Sequence, residues 1–317
     1  MNGRSSRLPR IGITLGDPRG IGPEVTVGAL RDSTLAAAAE YVLIGPEGIV
    51  AGEERLEAVG AWAAGDGPAA AGRLAGLAIA RGADLALQGE IDALVTAPID
   101  KAAFRAGGWP FPGHTEMLRD IAGAAEVAMM MAAETTRLGA PLRVVLATTH
   151  MALRSVPDTL TSALLVRQTT LTRDALRSWW GIPLPRIALC ALNPHASDDG
   201  LFGDEEARVY RPAISAIEDS GVAVVGPIPA DTVFNRALAG EFDAVIAPYH
   251  DVGMAAFKTV SFGSGVNVTL GLPFPRTSPD HGTALDIAGS GVADASSMIE
   301  AIRLAIRLAG LSTPRIA

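Results

Sequence analysis

A chain of 317 residues, 49% hydrophobic and 19% charged, has room for one large domain or two ordinary ones with a substantial buried core. Its 34 acidic residues outnumber 26 basic ones, and the net charge of −8 argues against a protein that coats nucleic acid or an anionic membrane. No window approaches the roughly 18 uninterrupted apolar residues of a membrane span. The short basic start, residues 1–10, runs into a strand rather than a signal-peptide apolar region, so a soluble, cytoplasmic chain is expected.

In chain order, short apolar runs bounded by Gly, Pro or polar residues predict strands at 10–15, 41–44, 93–96, 127–131, 143–148, 186–192, 222–225 and 244–247. Helical spacing predicts helices at 23–30, 72–88, 115–122, 158–180, 204–220 and 295–309. Pro23 suits a first helical turn and Asp158 reads as an N-cap. The Ala/Gly-rich stretch 61–72 reads as a loop or weak helix. Strand and helix in alternation mean an α/β fold with a largely parallel sheet.

The absences are informative. There is no Gly-Lys pair, hence no phosphate-binding GxxxxGK[ST] loop, and no HExxH. Gly20-Ile-Gly22-Pro and Gly263-Ser-Gly265-Val both lack the third glycine of a Rossmann turn. The single cysteine, Cys190, excludes an internal disulfide and reads as a small buried hydrophobe. Only Lys101 and Lys258 are lysines, all other basic side chains being arginine, which marks both for roles that need a compact, titratable charge.

Three of the five histidines share one setting: His150, His195 and His250 each follow directly on a buried strand. The carboxyl ends of parallel strands converge on one sheet edge, so three imidazoles delivered there suit a divalent metal with an open position. The competing reading is three loop-capping histidines. Asp251 and Asp231 are placed to orient the imidazoles, to complete coordination, or simply to cap helices. His114 and Thr115 open a helix after Pro112-Gly113, a setting suited to an anion such as phosphate or to a capping box. Lys258, Asn267 and Arg276 bracket a glycine-rich stretch and form a set able to bind a small polar anion, with Lys258 also able to move a proton.

Several segments occur together and in order: Ile11-Gly-Ile-Thr-Leu-Gly-Asp-Pro-Arg-Gly-Ile-Gly-Pro-Glu24, Thr96-Ala-Pro-Ile-Asp-Lys101, Pro112-Gly-His-Thr-Glu116, Asn193-Pro-His195, Gly226-Pro-Ile-Pro-Ala-Asp-Thr232, Tyr249-His-Asp251 and Gly265-Val-Asn-Val-Thr-Leu-Gly-Leu-Pro-Phe274. Through them the chain resembles the 4-hydroxythreonine-4-phosphate dehydrogenase family of pyridoxal phosphate biosynthesis. The resemblance implies a two-lobed α/β/α fold of the isocitrate/isopropylmalate dehydrogenase type. The first lobe would be residues 1–125 with 279–317, and the second 126–278, carrying the metal-binding histidines and the dimer contacts. It implies metal ligation by His150, His195 and His250, and substrate binding by His114, Thr115, Lys258, Asn267 and Arg276.

The same likeness implies a homodimer with its active site at the subunit interface, and one divalent metal, Zn²⁺ before Mg²⁺ or Co²⁺. It also implies NAD or NADP bound by His281, Gly282, Thr283 and Asp286, with the Asp286 carboxylate favouring NAD. The activity implied is oxidation of the C3 hydroxyl of 4-phosphohydroxy-L-threonine followed by decarboxylation. Lys258, Asp251 and Asp231 are the residues expected to assist. Departures from the family pattern are Asp100 for Asn, Val252 for Gln, and Ser197-Asp-Asp for a glycine-rich turn. They leave a phospho-D-threonate or phospho-D-erythronate dehydrogenase, or a non-catalytic phosphometabolite binder, as alternatives.

Overall fold

The computed structural model describes residues 7–49, 55–63 and 65–311. Of the basic stretch 1–10, residues 1–6 lie outside the described residues, as do residue 64 of the Ala/Gly-rich stretch and residues 312–317. The chain divides into two compact units, one built from residues up to 125 together with 272–310, the other from 126–271. The sequence expectation places the return at 279, whereas the division falls at 272.

The first unit begins with β1 (Arg10–Thr14), α1 (Gly22–Leu30), α2 (Ser33–Ala36), β2 (Glu40–Glu47), β3 (Arg55–Ala61), α3 (Pro68–Leu87), β4 (Ala93–Thr96), α4 (Lys101–Ala106) and α5 (His114–Ile121). The second unit contains β5 (Ala128–Ala133), β6 (Leu142–Leu146), α6 (Val156–Thr159), α7 (Ser162–Ser178), β7 (Ile187–Cys190), α8 (Arg211–Asp219), β8 (Val224–Ile228), α9 (Ala230–Leu238), β9 (Ala244–Ala247), α10 (His250–Ser261) and β10 (Val266–Leu270). The first unit is completed by β11 (Arg276–Pro279) and α11 (Ser296–Leu311).

In the first unit the strands run in the order β3-β2-β1-β4-β11, all pairs parallel. Ile11, Ile13, Ile44, Leu94 and Val95 are fully or almost fully buried, which is why their runs read as continuously apolar. α3 packs against β1 and β2, and meets α4 closely at Gly72, where a Cβ would sit 1.8 Å from the Ala103 carbonyl oxygen. In the second unit the order is β10-β5-β6-β9-β7-β8. β5 is antiparallel to both neighbours and the remaining pairs are parallel. Its core gathers Met131, Val144, Leu146, Val245, Val233 and Phe257.

Local chemistry explains where the elements depart from expectation. The helix expected over 158–180 is two helices, because the buried Leu160 is extended between them. Asp158 is therefore not its N-cap but a first-turn residue of α6. The cap of α7 is Thr161, whose Oγ1 accepts from the Leu164 N–H at 3.2 Å. The helix expected over 204–220 opens with a π turn at Glu206–Tyr210 before α8. That turn carries Tyr210 inward, its hydroxyl donating to the Cys190 carbonyl at 2.8 Å. Thr115 makes no capping box: it lies inside α5, and the N-cap is Gly113. Cys190 is fully buried and its thiol is pushed up to about 12, first by burial and then by Glu206. None of the described helices is long and apolar enough to cross a membrane.

Candidate active site

In the second unit, β6 and β9 are neighbours but not consecutive, so the chain leaves them in opposite directions, the setting in which α/β sheets open a binding crevice. Beyond the regular ladder the two strands stay tied. Ala147 N–H donates to the Ala247 carbonyl at 2.9 Å, and Thr148 donates to the Pro248 carbonyl through N–H at 3.2 Å and Oγ1 at 2.8 Å. This brings the next residues, His150 and His250, together with ring centroids 5.4 Å apart. α10 lies low over both strands because residue 253 is glycine. A Cβ there would meet Leu146 at 2.6 Å and Ala247 at 3.0 Å. His250 Nδ1 is 2.7 Å from Asp251 Oδ1. With the carboxylate accepting, Nδ1 carries the proton and Nε2 keeps its lone pair for a metal or a proton. A cavity of about 500 Å³ lined by His150, Met151, Tyr249, His250 and Asp251 adjoins the pair.

His195 is held differently. It follows β7 in a turn where His195, Ala196, Ser197, Asp198 and Asp199 all have φ between 47° and 70°, a run of left-handed residues with no glycine among them. Glu206, buried at the π turn, holds the base of this loop by accepting from the N–H groups of Leu192 and Asn193 and from the Asn193 amide. The exposed His195 ring meets the edge of Phe202, with centroids 6.3 Å apart, rather than the other two imidazoles. Among the described residues of one chain, no group of three or more His, Cys, Asp or Glu is disposed to hold a metal ion. One chain thus brings His150, His250 and Asp251 together and leaves His195 apart. Asp231 is exposed in the first turn of α9, Lys258 is exposed near the end of α10, and Asn267 is half-buried on β10 opposite Met131.

In the first unit the chemistry gathers at the end of β4 and the start of β11. Arg276 is 3% exposed; its guanidinium donates to Thr96 Oγ1 through Nε at 3.1 Å and through a terminal nitrogen at 2.5 Å. Burial lowers its pKa to about 10, with Glu116 opposing the shift. His114, the first residue of α5, hydrogen-bonds the Ala97 backbone, and burial, followed by the charge of Arg276, holds its pKa well below the ordinary histidine range. Its Nε2 is shielded from solvent and has no hydrogen-bond partner among the described residues. A buried imidazole, a buried guanidinium and the first N–H groups of α5 thus lie together, a donor set whose chemistry suits a small anion.

Two residues of this site were not singled out for it in the sequence. Thr96 holds the guanidinium, and Lys101, at the start of α4, lowers the His114 pKa further. The scarcity of lysine was the signal for Lys101. Asp100 caps α4 by accepting from the Ala103 N–H at 2.6 Å, a task Asn performs equally, which makes that departure locally neutral.

The loop after β11 carries the other expected residues. His281 Nδ1 lies 3.0 Å from the Gly282 carbonyl, and its Nε2 is shielded and has no partner among the described residues. The Thr283 carbonyl accepts from the Ile21 N–H at 2.9 Å, and Asp286 is exposed in the following turn.

Two α/β units of mostly parallel sheet, with polar groups at the strand ends and no Rossmann glycines, have the fold of the isocitrate/isopropylmalate dehydrogenase type. A family model described as pyridoxal phosphate biosynthetic protein PdxA matches residues 30–305, and the chain belongs to that family. A 4-hydroxythreonine-4-phosphate dehydrogenase of Desulforapulum autotrophicum is 42% identical over 328 residues, covering 94% of each chain. A D-threonate 4-phosphate dehydrogenase of Salmonella typhimurium is 39% identical, covering 94% of this chain and 98% of its own. The crystal structure of 4-hydroxythreonine-4-phosphate dehydrogenase from Klebsiella pneumoniae matches with a TM-score of 0.87 at 37% identity, over 96% of this chain and 99% of that one. The protein is therefore an enzyme, an oxidoreductase of the dehydrogenase type.

Proposed function

We propose that this enzyme oxidises the C3 hydroxyl of 4-phosphohydroxy-L-threonine with NAD and that the resulting β-keto acid loses CO₂, giving 3-amino-2-oxopropyl phosphate. The observation that carries the substrate class is the buried Arg276 beside His114. A guanidinium held in low dielectric at a depressed pKa is stabilised by an incoming phosphate or carboxylate. Thr115 and the N–H groups of α5 add donors; Lys258 and Asn267 are assigned to substrate binding on the family resemblance.

His150 and His250 fit a divalent ion, Zn²⁺ before Mg²⁺ or Co²⁺. They are adjacent imidazoles, one of them with its tautomer set by Asp251. Such an ion supplies Lewis acidity that lowers the pKa of a bound alcohol. The third ligand, His195, is set apart within one chain, which supports its delivery to the partner's pair across a homodimer interface. The exposed apolar residues Met151, Leu153, Leu201 and Phe202, beside the two histidine loops, support the same reading. Lys258 assists removal of the hydroxyl proton, and Asp231, in the first turn of α9, is assigned with Asp251 to orienting the imidazoles. His281, Gly282, Thr283 and Asp286 take the nucleotide, the carboxylate accepting from ribose hydroxyls and repelling a 2′-phosphate. The enzyme acts in the cytoplasm.

The 39% identical threonate relative supports a second reading, oxidation of D-threonate 4-phosphate. Following NADH formation from each phosphorylated substrate, with and without a chelator, separates the two. Equal inactivity on both substrates under every metal would leave only a binding role.

A further inference from the structure

The glycine-rich segment between β1 and α1 is among the most distinctive in the sequence, yet none of its side chains belongs to either constellation above. Its geometry points elsewhere. Gly20 lies in the turn that leads into α1, Glu24 and Gly28 lie one helical turn apart on α1, and each of the three meets the loop that runs from 283 to 295. At Gly20, a Cβ would stand 2.8 Å from the Thr283 carbonyl oxygen, while the adjacent Ile21 N–H donates to that oxygen at 2.9 Å. At Gly28, a Cβ would stand 3.1 Å from the Ala295 Cβ. Between them, the Glu24 carboxylate accepts from the Gly289 N–H at 2.9 Å and from the Ala293 N–H at 3.3 Å.

The loop has no regular secondary structure from 281 to 295, so its backbone donors depend on such partners. Gly289 and Gly291 both have φ near +75°, and most residues from 285 to 292 are exposed. The loop is therefore not shaped by core packing. Its described attachments to α1 fall at Thr283 on one side of Asp286, and at Gly289, Ala293 and Ala295 on the other. Charge-assisted bonds to a carboxylate are roughly twice as strong as neutral ones, and Glu24 supplies both hydrogen bonds on the far side.

We infer that Glu24 is a positioning residue for the nicotinamide nucleotide: seated between Gly20 and Gly28, it latches the 283–295 loop to α1 and so sets nucleotide affinity. This rests on the nucleotide reading of His281–Asp286 given above. The two glycines keep the helix close enough for the carboxylate to reach the loop backbone.

The test uses full-length Glu24→Ala and Glu24→Gln. NADH binding is measured by fluorescence, steady-state kinetics are run with the preferred phosphorylated substrate, and amide hydrogen exchange is followed over 284–294 in nucleotide-free protein. Glu24→Ala is expected to raise the nucleotide Kd and KM about ten-fold, a factor within the range of one lost charge-assisted bond. It should speed exchange at Gly289 and Ala293 while leaving the substrate KM, and kcat at saturating nucleotide, within about two-fold. Glu24→Gln keeps one acceptor oxygen and the side-chain volume, and should fall between the two.

Wild-type binding with an unchanged Kd in Glu24→Ala overturns the latch alone. So does a parallel fall in kcat and substrate affinity, which a merely structural role produces. Absence of NADH binding to the wild type overturns the nucleotide reading first, and the latch with it.

Discussion

Replacing Arg276 by Met separates function from stability. In the wild type the guanidinium is 3% exposed and its pKa is driven down to about 10 by burial. Each pH unit of depression corresponds to about 1.4 kcal/mol, so holding this charge costs the ligand-free protein on the order of 3 kcal/mol. The hydrogen bonds to Thr96 are a partial offset, the attraction of Glu116 being already contained in that value. Met fills a comparable volume without the charge, removing that cost but stranding the Thr96 hydroxyl, a loss of about 1–3 kcal/mol. The two nearly cancel, so Arg276→Met should unfold in urea within about 1 kcal/mol of wild type.

Substrate binding has no such cancellation. Losing a charge-assisted contact to phosphate or carboxylate should raise the substrate KM roughly 10- to 100-fold, and should abolish the substrate's protection against thermal unfolding. A variant destabilised by several kcal/mol with an unchanged KM would show that Arg276 is a structural ion and refute the anion-site reading.

His114 yields a pH dependence. Its folded pKa is depressed, so the unfolded chain binds its proton first as pH falls. The associated stability is fully present above about pH 6.5 and is lost below it by up to about 1.4 kcal/mol per pH unit. Urea titrations at several pH values should show a shallower acid slope for His114→Gln; identical slopes contradict the buried neutral imidazole. Ala196, at φ 56° in the left-handed run, should be stabilised by Ala196→Gly. Relief of about 1 kcal/mol of backbone strain outweighs the added unfolded-state entropy, leaving roughly 0.5 kcal/mol. A lower urea midpoint would show that the turn is unstrained. Asp251→Asn removes the carboxylate from His250 Nδ1 and should weaken Zn²⁺ affinity about ten-fold in chelator competition, an effect absent if the pair does not bind metal.

Buried strands such as β4 and β9 announced themselves because both of their faces are covered, and a run of Ala, Val, Leu and Ile has little other use. The histidines at strand ends were legible for the same reason: chain order alone puts them at the carboxyl edge. β11 was not legible, since Arg276-Thr-Ser-Pro is polar, and its complete burial follows from partners far away in sequence, Thr96 for the guanidinium and the Ala301 carbonyl for Thr277. α4 was missed because six residues carry too few turns for a periodic signal; α9 and α10 were missed as well.

The amino-acid order by itself therefore determined the alternating α/β architecture and the family, and singled out the candidate site residues, because burial and strand-end placement are local consequences of side-chain type. Folding decided which of those residues meet. It set His150 against His250, left His195 on a strained turn, neutralised His114 beside a buried guanidinium and tied Glu24 to a loop some 265 positions away. Such encounters depend on how strands and helices cross in space, which no local pattern encodes.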